Sequence, residues 1–172
     1  SSYSSGELSD YLGCDVRFVM PQSVRKPDRK FFACGSVHAA IHGGTVVCEQ
    51  MPLEDAENVD DILNYDKWPS PDWFDYKIPD RMLPALEDKA VCAYDMFMLL
   101  LYAMGMRGMD NFMMDMAAEP EMAHVLLDKI CDYHIERMRR YLTINKGVID
   151  IIGIWDDVAS QDGMFFGIDM WR

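Results

Sequence analysis

Gly147-Val-Ile-Asp-Ile-Ile-Gly-Ile-Trp155-Asp156-Asp157 is the stretch that decides the fold. It is apolar almost without interruption and rich in isoleucine. That predicts a strand over 148–155 buried on both faces, and such strands belong to parallel sheets covered by helices. The run ends in two adjacent carboxylates. In βα architectures the C-terminal ends of parallel strands form the functional face, so Asp156 and Asp157 are the first candidate catalytic residues. Strand ends and helix starts also favour aspartate as a plain cap or solvated turn. Side chains alternate along a strand, so the two should point apart, one into the cleft and one toward neighbouring backbone. Only one of them is expected to touch a ligand.

Upstream of this strand, Pro120 fits the first position of a long helix. Leu126, Ile130 and Tyr133 form its buried stripe, and Asn145-Lys146-Gly147 stops it. Lys89-Ala-Val-Cys-Ala-Tyr94 reads as a second buried strand, and Asp95 as the N-cap of a helix over 96–104. The glycines at 105 and 108 mark a turn, followed by a short methionine-rich helix over 109–116. Arg107 lies between those glycines at the rim of an apolar cluster. Its guanidinium has the geometry to bind a carboxylate bidentately or to cap helix carbonyls. The methionines from Met96 to Met116 read as core filler before they read as a pocket lining, because methionine packs irregular gaps.

Toward the N-terminus the pattern predicts a helix around Glu7 to Leu12 and an alternating strand over 15–20 stopped by Pro21. A hairpin follows over 31–51, with Gly43-Gly44 as its turn. An acidic, weakly helical stretch covers 53–63, and the loop over 68–76 is pinned by its aromatic side chains despite two prolines. A helix is expected over 81–88.

At 172 residues, half of them apolar, the chain can bury one hydrophobic core and reads as a single domain over 1–172. A net charge of −13 argues against nucleic acid and anionic membrane as partners, since both require lysine and arginine against phosphate. The basic residues Arg25, Lys26, Arg29 and Lys30 read as a solvated loop. No apolar run approaches the roughly 18 residues of a membrane span, and Ser1 to Gly6 lacks the basic and apolar regions of a signal peptide, so a cytoplasmic location is the default expectation. The five cysteines are widely spaced and form no Cys-x-x-Cys pair, which is neither a disulfide framework nor a zinc knuckle. His38 and His42 sit among glycines and lack a third ligand, so no metal site is expected there.

Gly105-Met-Arg107-Gly108-Met-Asp-Asn-Phe112-Met-Met-Asp115-Met-Ala-Ala-Glu119-Pro120-Glu121, then the long helix, then Asp150-Ile-Ile-Gly-Ile-Trp-Asp156-Asp157-Val-Ala-Ser-Gln161-Asp-Gly163, resembles the uroporphyrinogen decarboxylase superfamily. Tyr11-Leu12-Gly13-Cys14-Asp15 and Trp68-Pro69-Ser70-Pro71-Asp72 resemble its divergent branch. The resemblance runs through most of the chain on moderately specific pieces rather than one diagnostic signature. It implies an α/β fold of the (β/α)8 TIM-barrel superfamily. Such a barrel takes about 250 residues, so the chain is expected to be an incomplete barrel, its N-terminal to middle part, with a β-hairpin excursion.

The resemblance further implies Asp156 and Asp157 as catalytic and Tyr94, Arg107 and Gln161 as substrate-binding. The implied activity is decarboxylation of tetrapyrrole acetate side chains in porphyrin biosynthesis, without a cofactor. A carboxylate at the barrel mouth would hold pyrrole N–H groups and stabilise the cation that forms. The alternative within the superfamily is a cobalamin (corrinoid)-dependent methyltransferase, in which zinc activates a thiol. The chain lacks the Arg-rich motif and early aspartate of the decarboxylases. It also lacks the His-x-Cys and Cys set of the methyltransferases, so zinc and corrinoid ligands would lie outside it. A small tetrapyrrole or corrinoid is the implied partner, and unpaired parallel-sheet edges invite a homo-oligomer. Eight substrate carboxylates against Arg107 as the one well-placed cation turn the expectation toward a divergent function. An expectation from another class is a non-catalytic acidic α/β interaction domain, with Asp156 and Asp157 as caps and the loop over 68–76 as its binding surface.

Overall fold

The structure is a computed structural model that describes residues 5–23, 37–42, 45–94 and 98–171. In chain order the elements are α1 (Ser5–Tyr11), β1 (Val16–Val19), β2 (Gln22–Ser23), β3 (Val37–His42), β4 (Thr45–Gln50), α2 (Val59–Leu63), β5 (Phe74–Asp75), β6 (Ala90–Tyr94), α3 (Leu99–Arg107), α4 (Met109–Ala118), α5 (Pro120–Ile144), β7 (Ile151–Gly153), β8 (Ala159–Ser160), β9 (Gly163–Met164) and α6 (Ile168–Trp171). Short 3-10 turns occupy Pro71–Trp73 and Asp80–Ala85. The chain is mixed α/β, and its centre is a three-stranded parallel sheet in the order β1-β6-β7. The hairpin β3-β4 is the expected excursion, and its Gly43-Gly44 turn lies outside the described residues. The basic residues 25–30 lie outside them as well.

Between β6 and β7 the chain runs through α3, α4 and α5, the crossover that two parallel neighbours require. α5 begins at Pro120, whose missing N–H costs nothing at a first helical position, and it buries Met122, Leu126, Ile130, His134, Met138 and Tyr141 at spacings of three and four. It ends on Asn145, and Gly147 turns the chain with a φ of 81°. The Asn145 side chain does more than stop the helix. Its Oδ1 accepts from the Ile78 N–H at 2.9 Å, and its Nδ2 donates to the Tyr76 carbonyl at 2.7 Å and the Tyr141 carbonyl at 2.8 Å. One buried amide thereby ties the loop before the second 3-10 turn to the end of α5.

Two apolar clusters hold the layers. The first joins Leu53, Ile62, Met98, Met106, Phe112, Leu126 and Ile130 across α2 to α5. Met98, Met104 and Met106 are part of it, as core filler. The second lies between the sheet and α5, and contains Val19, Val91, Ala93, Met138 and Tyr141 with Tyr76, Ile78 and Leu86.

Register fixes which side of the sheet this second cluster covers. Val19, Ala93 and Ile152 are level with one another, as are Phe18, Cys92 and Ile151 one step earlier on the opposite face. The first face carries Val19 and Ala93 into the core. The second leaves Phe18 64% exposed and Ile151 43% exposed. The expectation that 148–155 is one strand buried on both faces is therefore corrected: three residues pair, at an edge of the sheet, and their isoleucines meet water. Hydrophobicity alone does not distinguish a strand covered on both faces from an edge strand with one apolar face open.

Two further expectations change. The segment 81–88 is not an α-helix: the 3-10 turn Asp80–Ala85 runs into a plain turn over 86–88, because Pro84 supplies no N–H and crowds the turn before it. The loop over 68–76 contributes β5, which pairs antiparallel with β2.

Candidate functional site

The C-terminal ends of β1, β6 and β7 lie side by side. Tyr94 closes β6 level with Gly153. Its ring lies parallel to that of Trp155, with centroids 6.2 Å apart and planes 5° apart, while Phe18 meets it edge-on at 5.7 Å. Both are favourable arrangements for ring quadrupoles. The three aromatic side chains line the end of the sheet from which the chain continues into Asp156 and Asp157.

These two aspartates have separate positions. Asp156 Oδ2 accepts from the Leu100 N–H at 2.7 Å and Oδ1 from the Leu101 N–H at 3.3 Å. Those amides belong to the first turn of α3, whose N-cap residue is Met98 and has no side-chain acceptor to offer. Asp156 caps α3 from 56 residues away and lays a negative charge at the positive end of the helix. Asp95, the cap expected from sequence, lies outside the described residues. Asp156 Oδ1 also accepts from the Asp157 N–H at 2.9 Å, which turns the chain at that point. The Asp157 side chain is exposed and makes no hydrogen bond or ion pair among the described residues. One aspartate thus faces backbone, as alternation predicts, and the other is exposed.

Asp156→Ala removes two charged acceptors from a helix start. We expect about 1–2 kcal/mol of lost stability, read as a lower urea midpoint at unchanged slope. No change in midpoint would mean that water caps α3 as well as the carboxylate does.

Arg107 is fixed within the chain. Its Nε donates to Asp115 Oδ2 at 2.7 Å and its Nη2 to Asp115 Oδ1 at 3.2 Å, a bidentate pair, while Nη1 donates to the carbonyls of Leu53 and Glu54 at 2.8 and 2.7 Å. Both side chains of the pair are more than nine-tenths buried. The carboxylate that Arg107 grips is therefore the chain's own. Gly108 next to it has a φ of 88°, joining α3 to α4, and a Cβ there would meet Met51 Sδ at 3.0 Å. Arg107 and the Leu100 amide stand at opposite ends of α3, about 10 Å apart along its axis. The structure does not bring Arg107 together with Asp156, Asp157 and Tyr94. Gln161 is exposed in the turn between β8 and β9.

The residues that sequence reasoning missed are Phe18 and Trp155 as ring partners of Tyr94, and Asp115 as the partner of Arg107. The alternation in β1 already set Phe18 apart from Val19, and Trp155 lies two residues before Asp157 on the same strand extension. His134 carries no spacing signal at all. It is 0% exposed in the middle of α5, stacked on Tyr102 with ring centroids 5.2 Å apart, and burial beside the Arg137 charge pushes its pKa down to about 3. Arg137 itself lies over the Phe74 ring at 3.9 Å.

An open cleft of about 590 Å³ lies at the other ends of β6 and β7, lined among others by Glu87, Lys89, Val91 and Asp150. Asp150 Oδ2 there accepts from the Val91 N–H at 2.9 Å. This is the end of a parallel sheet that bears on stability rather than chemistry. Among the described residues no three His, Cys, Asp or Glu side chains are placed to hold a metal ion. Cys14, Cys92 and Cys131 are free thiols. No helix among them is long and apolar enough to cross a membrane.

Compared with known proteins, the chain matches no family model, no curated protein and no solved structure.

Proposed function

We propose that the chain is a uroporphyrinogen decarboxylase-like protein of the (β/α)8 barrel class, acting on a tetrapyrrole at the C-terminal ends of its parallel strands. The observation that supports this reading is Asp157, an exposed carboxylate beside the Tyr94–Trp155 stack where three parallel strands end. A flat pyrrole can lie on an aromatic face, and a carboxylate held near it accepts the pyrrole N–H groups. A proton added to the pyrrole makes a cation. The bond between the acetate methylene and its carboxylate then breaks, and the electron pair neutralises that cation. Carbon dioxide leaves, and the methylene takes up a proton to become a methyl group while the ring gives its added proton back. One proton is consumed in all. Asp157 stabilises the cationic stage by a charge placed beforehand, and Tyr94 and Gln161 offer polar contacts to the periphery of the ring.

One observation favours the second reading, corrinoid-dependent methyl transfer: Arg107, the cation expected to meet the substrate carboxylates, is already bound to Asp115. A corrinoid carries neutral amides where uroporphyrinogen carries carboxylates.

The test is turnover of uroporphyrinogen, followed as loss of carbon dioxide by mass spectrometry. Asp157→Asn should lower kcat by about 10²–10³, the size of a lost charge-stabilising contact, with its thermal midpoint unchanged. An equal loss of stability would make Asp157 structural. A wild type that releases no carbon dioxide but shifts the absorption spectrum of added cobalamin would replace the first reading by the second. Neither response would leave the non-catalytic interaction domain.

A further inference from the structure

Gly153 closes β7 between Ile152 and Ile154. A glycine weakens a strand, and one that the backbone does not require marks a place that another group approaches closely. The backbone does not require this one, because its φ is not positive. What it leaves is space. A Cβ there would stand 3.2 Å from Cys92 Sγ and 3.6 Å from Tyr94 Cδ2. Tyr94 is level with Gly153 on the neighbouring strand. Alternation puts Cys92, Tyr94, Gly153 and Trp155 on one face, and Phe18 joins them from β1. The Tyr94 ring therefore lies against Gly153, and from that place it runs parallel to Trp155 and meets Phe18 edge-on.

We propose that Gly153 is a positioning residue: it keeps open the space in which the Tyr94 ring lies across β7, and so sets the aromatic platform on which a flat ligand ring stacks. It acts through Tyr94 and touches no ligand itself. A β-branched residue, the type that strands favour, would fill two of the three directions open to a γ carbon. Crowded already at its Cβ, it would push the Tyr94 ring off Trp155. The competing explanation is stability, since an aromatic ring laid over a glycine on the next strand supports a sheet without any ligand. The use of the platform by a ligand rests on the tetrapyrrole reading given above, whereas the arrangement of the rings does not.

Near-ultraviolet circular dichroism tests the arrangement. The signal lost in both Tyr94→Leu and Trp155→Phe identifies the stacked pair. Gly153→Val should lose that signal with far-ultraviolet circular dichroism and urea midpoint preserved. Gly153→Ala should keep most of it, because a Cβ at 3.6 Å is in ordinary contact with the ring and only the Cys92 thiol has to give. A folded Gly153→Val that retains the signal overturns the proposal. An equal loss in the alanine and valine variants would trace to crowding of Cys92, and overturns it too. A Gly153→Val that does not fold is compared with Tyr94→Leu plus Gly153→Val: recovered folding shows that valine and ring compete for one space, as expected, and no recovery makes the glycine structural. In turnover of uroporphyrinogen, Gly153→Val should raise KM about tenfold and leave kcat nearly unchanged, as loss of a stacking contact common to ground and transition states does. A lowered kcat at unchanged KM contradicts a role in the platform. A wild type that releases no carbon dioxide ends the decarboxylase reading alone, since the ring signal is read without turnover.

Discussion

Arg107→Ala should bring the protein to the edge of unfolding, with a loss of about 3–5 kcal/mol. That is the usual cost of removing one partner from a buried ion pair, against a total stability of about 5–15 kcal/mol for a typical domain. The guanidinium makes four hydrogen bonds, two to Asp115 and two to the carbonyls of Leu53 and Glu54. Its removal strands a buried carboxylate on α4 and two carbonyls of the segment that leads into α2. The double substitution Arg107→Met with Asp115→Leu should recover much of the loss, because it removes the uncompensated charge as well as the pair. Urea denaturation of the wild type and the two variants reads both effects. The same experiment separates two roles for this residue. If Arg107 gripped a substrate carboxylate instead of Asp115, Arg107→Ala would denature like the wild type and show only weakened ligand binding.

The elements legible in the sequence are those whose signal is local. α5 starts at its proline and stops at Asn145 and Gly147, as capping chemistry requires. β1 and β6 lie where alternation and a short apolar run put them, and the β3-β4 hairpin falls on either side of its glycine pair. α3 was displaced because its cap is not local. The sequence offers Asp95 as N-cap and a helix from residue 96, whereas α3 begins at Leu99 and takes its capping carboxylate from Asp156, beyond the end of the neighbouring strand β7. No pattern in a linear chain identifies an acceptor 56 positions away. The exposure of β7 was hidden for a related reason: an isoleucine run specifies apolar surface, and only the arrangement of other elements decides whether something lies on top of it.

The candidate site was legible in the same proportion. Adjacent aspartates at a strand end predict that one turns to backbone and the other into the cleft, by the alternation of side chains; Asp156 does turn to backbone, and Asp157 is exposed. Which of the two would turn inward was not legible, since it depends on where the start of α3 lies. Arg107 had two readings from sequence, a ligand for carboxylate and a cap for carbonyls. It binds a carboxylate within the chain, Asp115 eight residues on, and its other two bonds go to the turn carbonyls of Leu53 and Glu54 more than fifty residues back rather than to helix carbonyls.

Acid should destabilise the protein from well above the carboxylate range, and His134 is the cause. It lies fully buried in α5 against the Tyr102 and Tyr133 rings, with the Arg137 charge one turn on. Burial, and then that charge, hold its folded pKa near 3 instead of 6.5. A histidine whose folded value is depressed is neutral in both states above pH 6.5, so its contribution is complete there. As pH falls below 6.5 only the unfolded chain takes up the proton, and stability declines by about 1.4 kcal/mol per pH unit until the folded value is reached. Between pH 7 and 4.5 that amounts to about 3 kcal/mol. The other lowered groups act later. Asp72 and Glu136 are held down by hydrogen bonds and charge from Arg140, joined for Glu136 by Arg139, and their contributions are lost only as pH falls below their ordinary values of 3.8 and 4.5. Among the described residues, the interval from pH 6.5 to 4.5 therefore isolates His134. Urea midpoints measured across it should fall steadily in the wild type and stay level in His134→Gln. That variant is expected to start lower at pH 7 because it loses the stacking on Tyr102. Equal slopes in the two proteins would mean that the imidazole takes up its proton while folded, so that its charge has a place in the core.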